Sequence, residues 1–297
     1  MMKDTFSNMH PFINFIFFAL TIGFTMFIMN PVCLAVSFLC ALVTALYLNG
    51  KKAVRLSLVF LLPMILLIVL VNPVFNHEGM TILTYFPWDN PLTLESIVYG
   101  IASAFLLSST VLWFSSFNAV ITSDKVVFLF GRIMPSLSLV ISMALRFVPR
   151  FSAQMKLVRN AQHTIGRDID EGSLFQRIRN AVKILSIMIT WSLENAIETA
   201  DSMKSRGHGL KGRTSYSLYK FDKRDAFVLC TILFTGLVLM ILLFTNAIKF
   251  RYYPSIKGDL FTVQSVIFYI FYTFLMLIPL SVNIGEGIKW KHMQSKI

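Results

Sequence analysis

The sequence predicts an all-α fold, a polytopic membrane helix bundle of about six transmembrane helices with a cytoplasmic helical block inserted before the last two. Three observations carry this. Apolar residues make up 56% of the 297 positions and the mean hydropathy is +0.68, above the roughly 45–50% apolar content of soluble domains. Charged residues are only 14%, while 28 phenylalanines bring the aromatics to 14%. The lysines and arginines gather between the apolar runs, on alternate loops.

A bilayer core about 30 Å thick requires about 20 apolar residues per helix. Six runs meet or approach that length: 12–29, 32–48, 53–71, 97–117, 226–247 and 261–282. The first two are joined at Asn30-Pro31, a turn signal that makes them a hairpin. Pro63 should kink the third, freeing a carbonyl that neighbouring helices must satisfy. Pro279 falls near the end of the last. The N-terminal stretch lacks a basic region and a small-residue cleavage site, so the first run is expected to stay as a helix.

Loop charge orients these runs. Lys51, Lys52 and Arg55 follow the second run, and residues 72–96 contain no Lys or Arg. Residues 124–225 carry 17 Lys and Arg against 9 Asp and Glu. The positive-inside rule therefore places both termini and the 124–225 segment on the cytoplasmic side. Lys249, Arg251 and Lys257 are the exceptions, on an outer loop. Three stretches result: 1–123 with four helices, 124–225 as cytoplasmic or interfacial helices, and 226–297 with two helices and a basic tail. The net charge of +12 is thus an inner-face feature drawn to lipid headgroups, and no nucleic-acid partner is expected.

Within 124–225, residues 133–147 are apolar but short and lie between Pro135 and Pro149, which reads as a helix against the membrane or the bundle. Arg146 and Arg150 at its end suit headgroup level by snorkelling. A second helix follows and ends near Gly166. A third starts at a Ser173 cap and carries Leu174, Ile178, Val182, Leu185, Ile189, Leu193, Ile197, Ala200 and Met203 at steps of three or four. That is one helical stripe, wanting a surface to lie on. Gly207 suits its C-terminal cap.

The end of that helix raises a question. Gly207, Gly212, Arg213 and Thr214 have the spacing of a phosphate-binding loop, with arginine where the lysine belongs. Such a loop must follow a buried strand and open a helix; these glycines follow a helix end. ATP binding is therefore not expected. Arg206, flanked by Ser205 and Gly207 at the tip of a stiff helix, instead suits bidentate pairing with an acidic groove on a partner. A plain exposed arginine offsetting the helix dipole is the alternative.

No metal or cofactor site is expected. The five histidines are scattered, and Cys33, Cys40 and Cys230 sit in apolar runs without CxxC spacing. Glu194 and Glu198 form a solvated acidic face, or hold the helices together through Arg177 or Arg179. The six runs carry no Asp, Glu, Lys or Arg near their centres, which argues against a self-sufficient secondary transporter or channel. No cluster of acids and bases points to catalysis.

The chain resembles the transmembrane T component of energy-coupling factor (ECF) transporters, the family that includes the cobalt-importer Q-type proteins. The similarity is strongest in RFVPRFSAQMKLVRNAQ, in ENAIETADSMKSRG and in the loop NPVFNHEGMTIL…NPLTLESIVYG. Members resemble one another in two short X-Arg-X motifs at the ends of cytoplasmic coupling helices. Ser205-Arg206-Gly207 matches the second. The first departs: Ile165 stands where the pattern has arginine, followed by Gly166 and Arg167. The resemblance implies two ABC-type ATPase partners docking at Ser205, Arg206, Gly207, Gly166 and Arg167, with Arg146, Pro149, Glu194 and Glu198 supporting the coupling helices. It further implies a separate substrate-binding membrane S component for a vitamin or transition metal, no catalysis by this chain, and 261–282 as an extension of the family core.

Overall fold

The computed structural model describes residues 5–85, 90–131, 134–170, 172–210 and 219–294. Helix makes up 77% of the described residues, so the all-α class holds. The helices are α1 (Pro11–Phe27), α2 (Pro31–Asn49), α3 (Lys51–Leu56), α4 (Leu62–Phe75), α5 (Leu94–Val120), α6 (Ser123–Gly131), α7 (Pro135–Thr164), α8 (Leu174–Ser205), α9 (Lys223–Phe244) and α10 (Val263–Gln294). A hairpin of β1 (Ile82–Tyr85) and β2 (Pro91–Thr93) lies between α4 and α5, where the sequence reading expected only a loop. The chain forms two compact units, Met1–Val126 with Tyr219–Ile297, and Val127–Leu218.

By length and composition, six helices can cross a membrane: α2, the α3–α4 run, α5, α7, α9 and α10. At 17 residues α1 is shorter, about 26 Å by helix rise. The set thus differs from the six apolar runs by gaining α7 and losing α1.

In the first unit, α1, α2, α4, α5, α9 and α10 pack on one another. The turn before α2 forms because the Asn30 side chain accepts from the Val32 N–H at 3.0 Å while Pro31 takes the first helical position, where a missing N–H is harmless. The centre is aromatic. Phe17 meets Phe6 at 5.3 Å and Phe18 at 5.2 Å, and both Phe17 and Phe18 lie edge-on to Trp113. Apolar lipid gives no hydrophobic gain for such contacts, so close packing and internal hydrogen bonds must hold the helices together. The Trp113 indole N–H donates to Ser37 Oγ at 3.1 Å, and Ser37 Oγ lies 2.9 Å from Thr25 Oγ1. This satisfies three polar groups where no water is available.

Pro63 is absorbed without a break. A π-helical turn over Ser57–Leu61 joins α3 to α4 immediately ahead of it, and such turns accommodate a disrupted hydrogen-bond ladder. Leu58, Val59, Leu67 and Leu70 on this run are exposed, as befits a lipid-facing helix. Gly100 lets α4 approach α5: a Cβ there would stand 3.1 Å from Asn72 Cβ.

Candidate docking site at the helix tips

The second unit is built on an antiparallel pair, α7 and α8, joined by residues 165–173. Contrary to the sequence reading, Pro149 does not end a helix; it lies inside α7. A proline costs α7 one internal hydrogen bond, at the Leu145 carbonyl. Phe147 and Phe151 bracket it on one face and both contact Trp191 of α8, at 5.6 and 6.4 Å between ring centres. This aromatic splint crosses the proline and holds the helix continuous. Arg146 and Pro149 themselves are exposed.

The periodicity of α8 is as expected, but its covered face is not the stripe of Leu174, Ile178 and their successors. Ile184, Met188 and Asn195 are buried and Trp191 is half-buried. Leu174, Ile178, Val182, Leu185, Ile189, Leu193 and Ile197 are all exposed. At about 100° per residue the two sets lie roughly a third of a turn apart. The helix is therefore apolar over most of its circumference, with a polar edge that holds Arg179, Lys183, Glu194 and Glu198. Those glutamates are exposed and make no ion pair with Arg177 or Arg179. Seventeen residues of one helix separate Arg177 from Glu194, about 25 Å, so the suggested tie cannot form.

Both helices end in the same way. At the α7 terminus the Gly166 N–H donates to the His163 carbonyl at 3.0 Å and the Arg167 N–H to the Gln162 carbonyl at 2.9 Å. At the α8 terminus the Gly207 N–H donates to Lys204 at 2.9 Å and the His208 N–H to Met203 at 3.0 Å. Each is a Schellman motif, with the glycine in the left-handed region at φ +68° and +76°. Ile165 and Arg206 are thus equivalent cap residues, the positions that the motif comparison aligned.

At the α8 tip, Ser205 Oγ turns back to the Ser202 carbonyl at 2.9 Å. Arg206 is exposed, and its guanidinium has no partner among the described residues. The glycines and cations at 211–214, including Gly212, Arg213 and Thr214 of the phosphate-loop spacing, lie outside the described residues. Gly207 closes a helix rather than opening one, so the spacing is not set in a strand-to-helix turn.

The α7 tip is different. Its loop is tied down by Arg159, which donates to Asp168 at 3.2 and 3.0 Å and to Asp170 at 2.9 Å. The Arg159 hydrogen bonds hold the Asp168 carboxyl below its ordinary range, helped by the Ile169 backbone N–H. Arg177 and Asn180 add bonds to the Asp170 and Asp168 carbonyls, each at 3.0 Å. The Gln176 side chain accepts from the Ser173 N–H at 3.0 Å, half of a capping box. Beside this loop lies a recess of about 380 Å³ lined by Gly166, Arg167, Gly172, Gln176, Arg179, Asn180 and Lys183. Among the described residues three cations and no acid line it, close to the positive end of α8. Arg179 and Lys183 border the start of this helix in the sequence but are not read there as site residues; their i, i+4 spacing, read with the helix start at Ser173, is the available signal.

No group of three or more His, Cys, Asp or Glu side chains among the described residues is arranged to hold a metal ion. The described residues at the tips present cations suited to anionic groups.

The model of the cobalt transport protein family CbiQ matches residues 3–216, which is most of the chain including both tips. The chain belongs to the CbiQ family. Among its curated relatives are ECF transporter transmembrane proteins EcfT from three organisms. That of Lactobacillus helveticus is 40% identical over 106 residues, 35% of this chain and 38% of the relative. That of Streptococcus thermophilus is 33% identical over 138 residues, 46% and 52%. That of Lacticaseibacillus paracasei is 29% identical over 181 residues, 60% and 69%. The chain spans between about two fifths and one half of the length of the first two. This CbiQ-family chain is similar to the ECF transporter transmembrane proteins EcfT and carries several helices apolar enough to cross a membrane. The match stops at 216, so α9 and α10 lie beyond it.

Proposed function

We propose that this T component is a mechanical coupler, whose two helix tips seat on two ABC-type ATPase subunits and pass their movement to a separate substrate-binding membrane subunit. The observation that carries this reading is the pair of matching Schellman ends on one stiff hairpin. The α7 tip adjoins the start of α8, and α8 runs 32 residues to the other tip. That is about 48 Å, too far for both tips to enter one socket and suited to one ATPase each.

The tips divide the work. Arg206 projects from the negative end of α8, without a partner among the described residues, and enters an acidic groove by bidentate pairing. At the α7 tip, where Ile165 takes the cap, Arg167 acts with Arg179 and Lys183 as a basic recess. ATP is hydrolysed by the partners, and a vitamin or transition metal is carried by the S subunit. Residues 124–225 serve as the coupling segment between membrane stretches 1–123 and 226–297, with both termini in the cytoplasm of a prokaryotic cell.

Affinity purification of the tagged full chain from its native membranes tests the reading. Recovery of two ABC-type ATPases and a small membrane subunit is expected. Solute flux by proteoliposomes holding this chain alone would support a self-sufficient transporter instead.

A further inference from the structure

We propose that the loop between α9 and α10 is a binding site for the phosphodiester headgroup of an anionic lipid, held by Lys249, Arg251 and Lys257. These are the three cations that disobey the charge rule of the other loops, and they lie beyond the family match.

The loop is a built element. Asn246, at φ +57°, closes α9 with the Asn246 and Ala247 N–H groups donating to Leu243 and Leu242 at 3.0 and 3.1 Å. Ser265 Oγ, in the first turn of α10, donates to the Ala247 carbonyl at 2.7 Å. Tyr252 is buried, its hydroxyl donating to Met29 O at 2.8 Å, and Met80 N–H donates to Pro254 O at 3.1 Å. These contacts put the loop at the same end of its unit as the α1–α2 turn and the β1–β2 hairpin.

Within it, Arg251 and Lys257 exchange backbone hydrogen bonds at 2.9 and 3.0 Å as an isolated antiparallel bridge. Residues so paired project their side chains to one face about 5.5 Å apart at Cα, and like charges placed there repel. Neither side chain has an anionic partner among the described residues. Lys249 joins them in the wall of an open recess of about 720 Å³, with Asn246, Thr262 and Gln264 as further polar groups. Asp259 is the one acid among the described residues in that wall. Three cations and one carboxylate suit the single charge of a phosphodiester better than a polyanion. A bound phosphate removes the repulsion that the backbone bridge enforces.

The neighbourhood selects a lipid over a soluble anion. Phe244, Phe261 and Val263 are 82%, 82% and 75% exposed at the ends of the flanking helices. A loop joining two spanning helices sits at the bilayer surface, where exposed aromatics rest at headgroup depth. Acyl chains thus have apolar contacts beside a headgroup held by cations.

The test uses the purified full chain in neutral detergent, with bound lipid counted by native mass spectrometry. Phosphatidylglycerol should be retained roughly tenfold more than phosphatidylcholine, at about fivefold per cation near a charged headgroup and less where Asp259 opposes. R251Q/K257Q should abolish the preference and R251K/K257R keep it. On the unaltered protein, phosphatidylglycerol should also slow acetylation of Lys249 and Lys257, a readout that survives misfolding of a variant. Equal retention of the two lipids, unchanged acetylation, or displacement by millimolar glycerol phosphate as readily as by lipid would overturn the proposal.

Discussion

Arg206 and Ile165 hold the same place in two copies of one structure: each caps a long helix of the 127–218 unit and is followed by a glycine at positive φ. One copy ends in an exposed guanidinium with no partner among the described residues, the other in an apolar side chain beside a basic recess.

The two glycines set the direction in which the chain leaves each tip. Alanine at φ +68° or +76° is strained by about 1 kcal/mol, and at Gly207 a Cβ would also stand 3.0 Å from Leu210 Cδ1. Gly166→Ala and Gly207→Ala should therefore speed hydrogen exchange at the last turn of α7 and α8 respectively, leaving the rest of each helix unchanged. Equal exchange in variant and parent would remove the turn argument.

At the α7 tip the charge is shared. Arg167→Gln alone should weaken ATPase association by only a few-fold, as expected for one partly solvated cation. The triple variant with Arg179→Gln and Lys183→Gln should weaken it much further, and binding measured against salt should show a shallower dependence. A single-residue effect as large as the triple one would make Arg167 a self-sufficient plug.

Trp191 splints α7 across Pro149. Trp191→Ala should loosen the hairpin by about 2 kcal/mol, combining lost aromatic pairs with a cavity. Proteolysis within 127–218 should accelerate. Pro149→Ala in the same background should restore part of the loss by returning the Leu145 hydrogen bond; no restoration would show that the proline costs α7 nothing.

The Asp168–Arg159 pair gives the α7–α8 turn an acid limit. A carboxyl held below its unfolded value of 3.8 contributes stability that is complete above that value and is lost as pH falls through the lower folded one. A spin label at Ile165→Cys, in a Cys230→Ser background, should therefore stay immobile at neutral pH and gain mobility only below about pH 4. Asp168→Asn should be mobile at every pH. A transition near pH 6 would assign the effect to a histidine.

Much of this was readable in the sequence, for reasons that can be named. Asn30-Pro31 carries its own cap chemistry, so the α1–α2 hairpin follows from two residues. Gly207 was legible as a cap because only glycine takes its conformation without strain. Pro149 misled, since its local rule was overridden by Phe147, Phe151 and a tryptophan 42 residues away. The α8 stripe was legible as helix but not as surface: most of its circumference is apolar, and only the partner helix decides which face is covered. Arg179 and Lys183 meet Arg167 through the fold of residues 165–173, and the Arg159–Asp168–Asp170 tie that sets this fold has no spacing rule.

The most direct measurement is the amount of ATPase that co-purifies with the full chain when Arg206 is replaced by glutamate. The account predicts that Arg206→Glu inserts into membranes normally, loses at least tenfold in ATPase recovery because an acidic groove now meets an acid, and no longer supports uptake. Unchanged ATPase recovery with normal uptake would contradict it, because the tip of α8 would then carry no force.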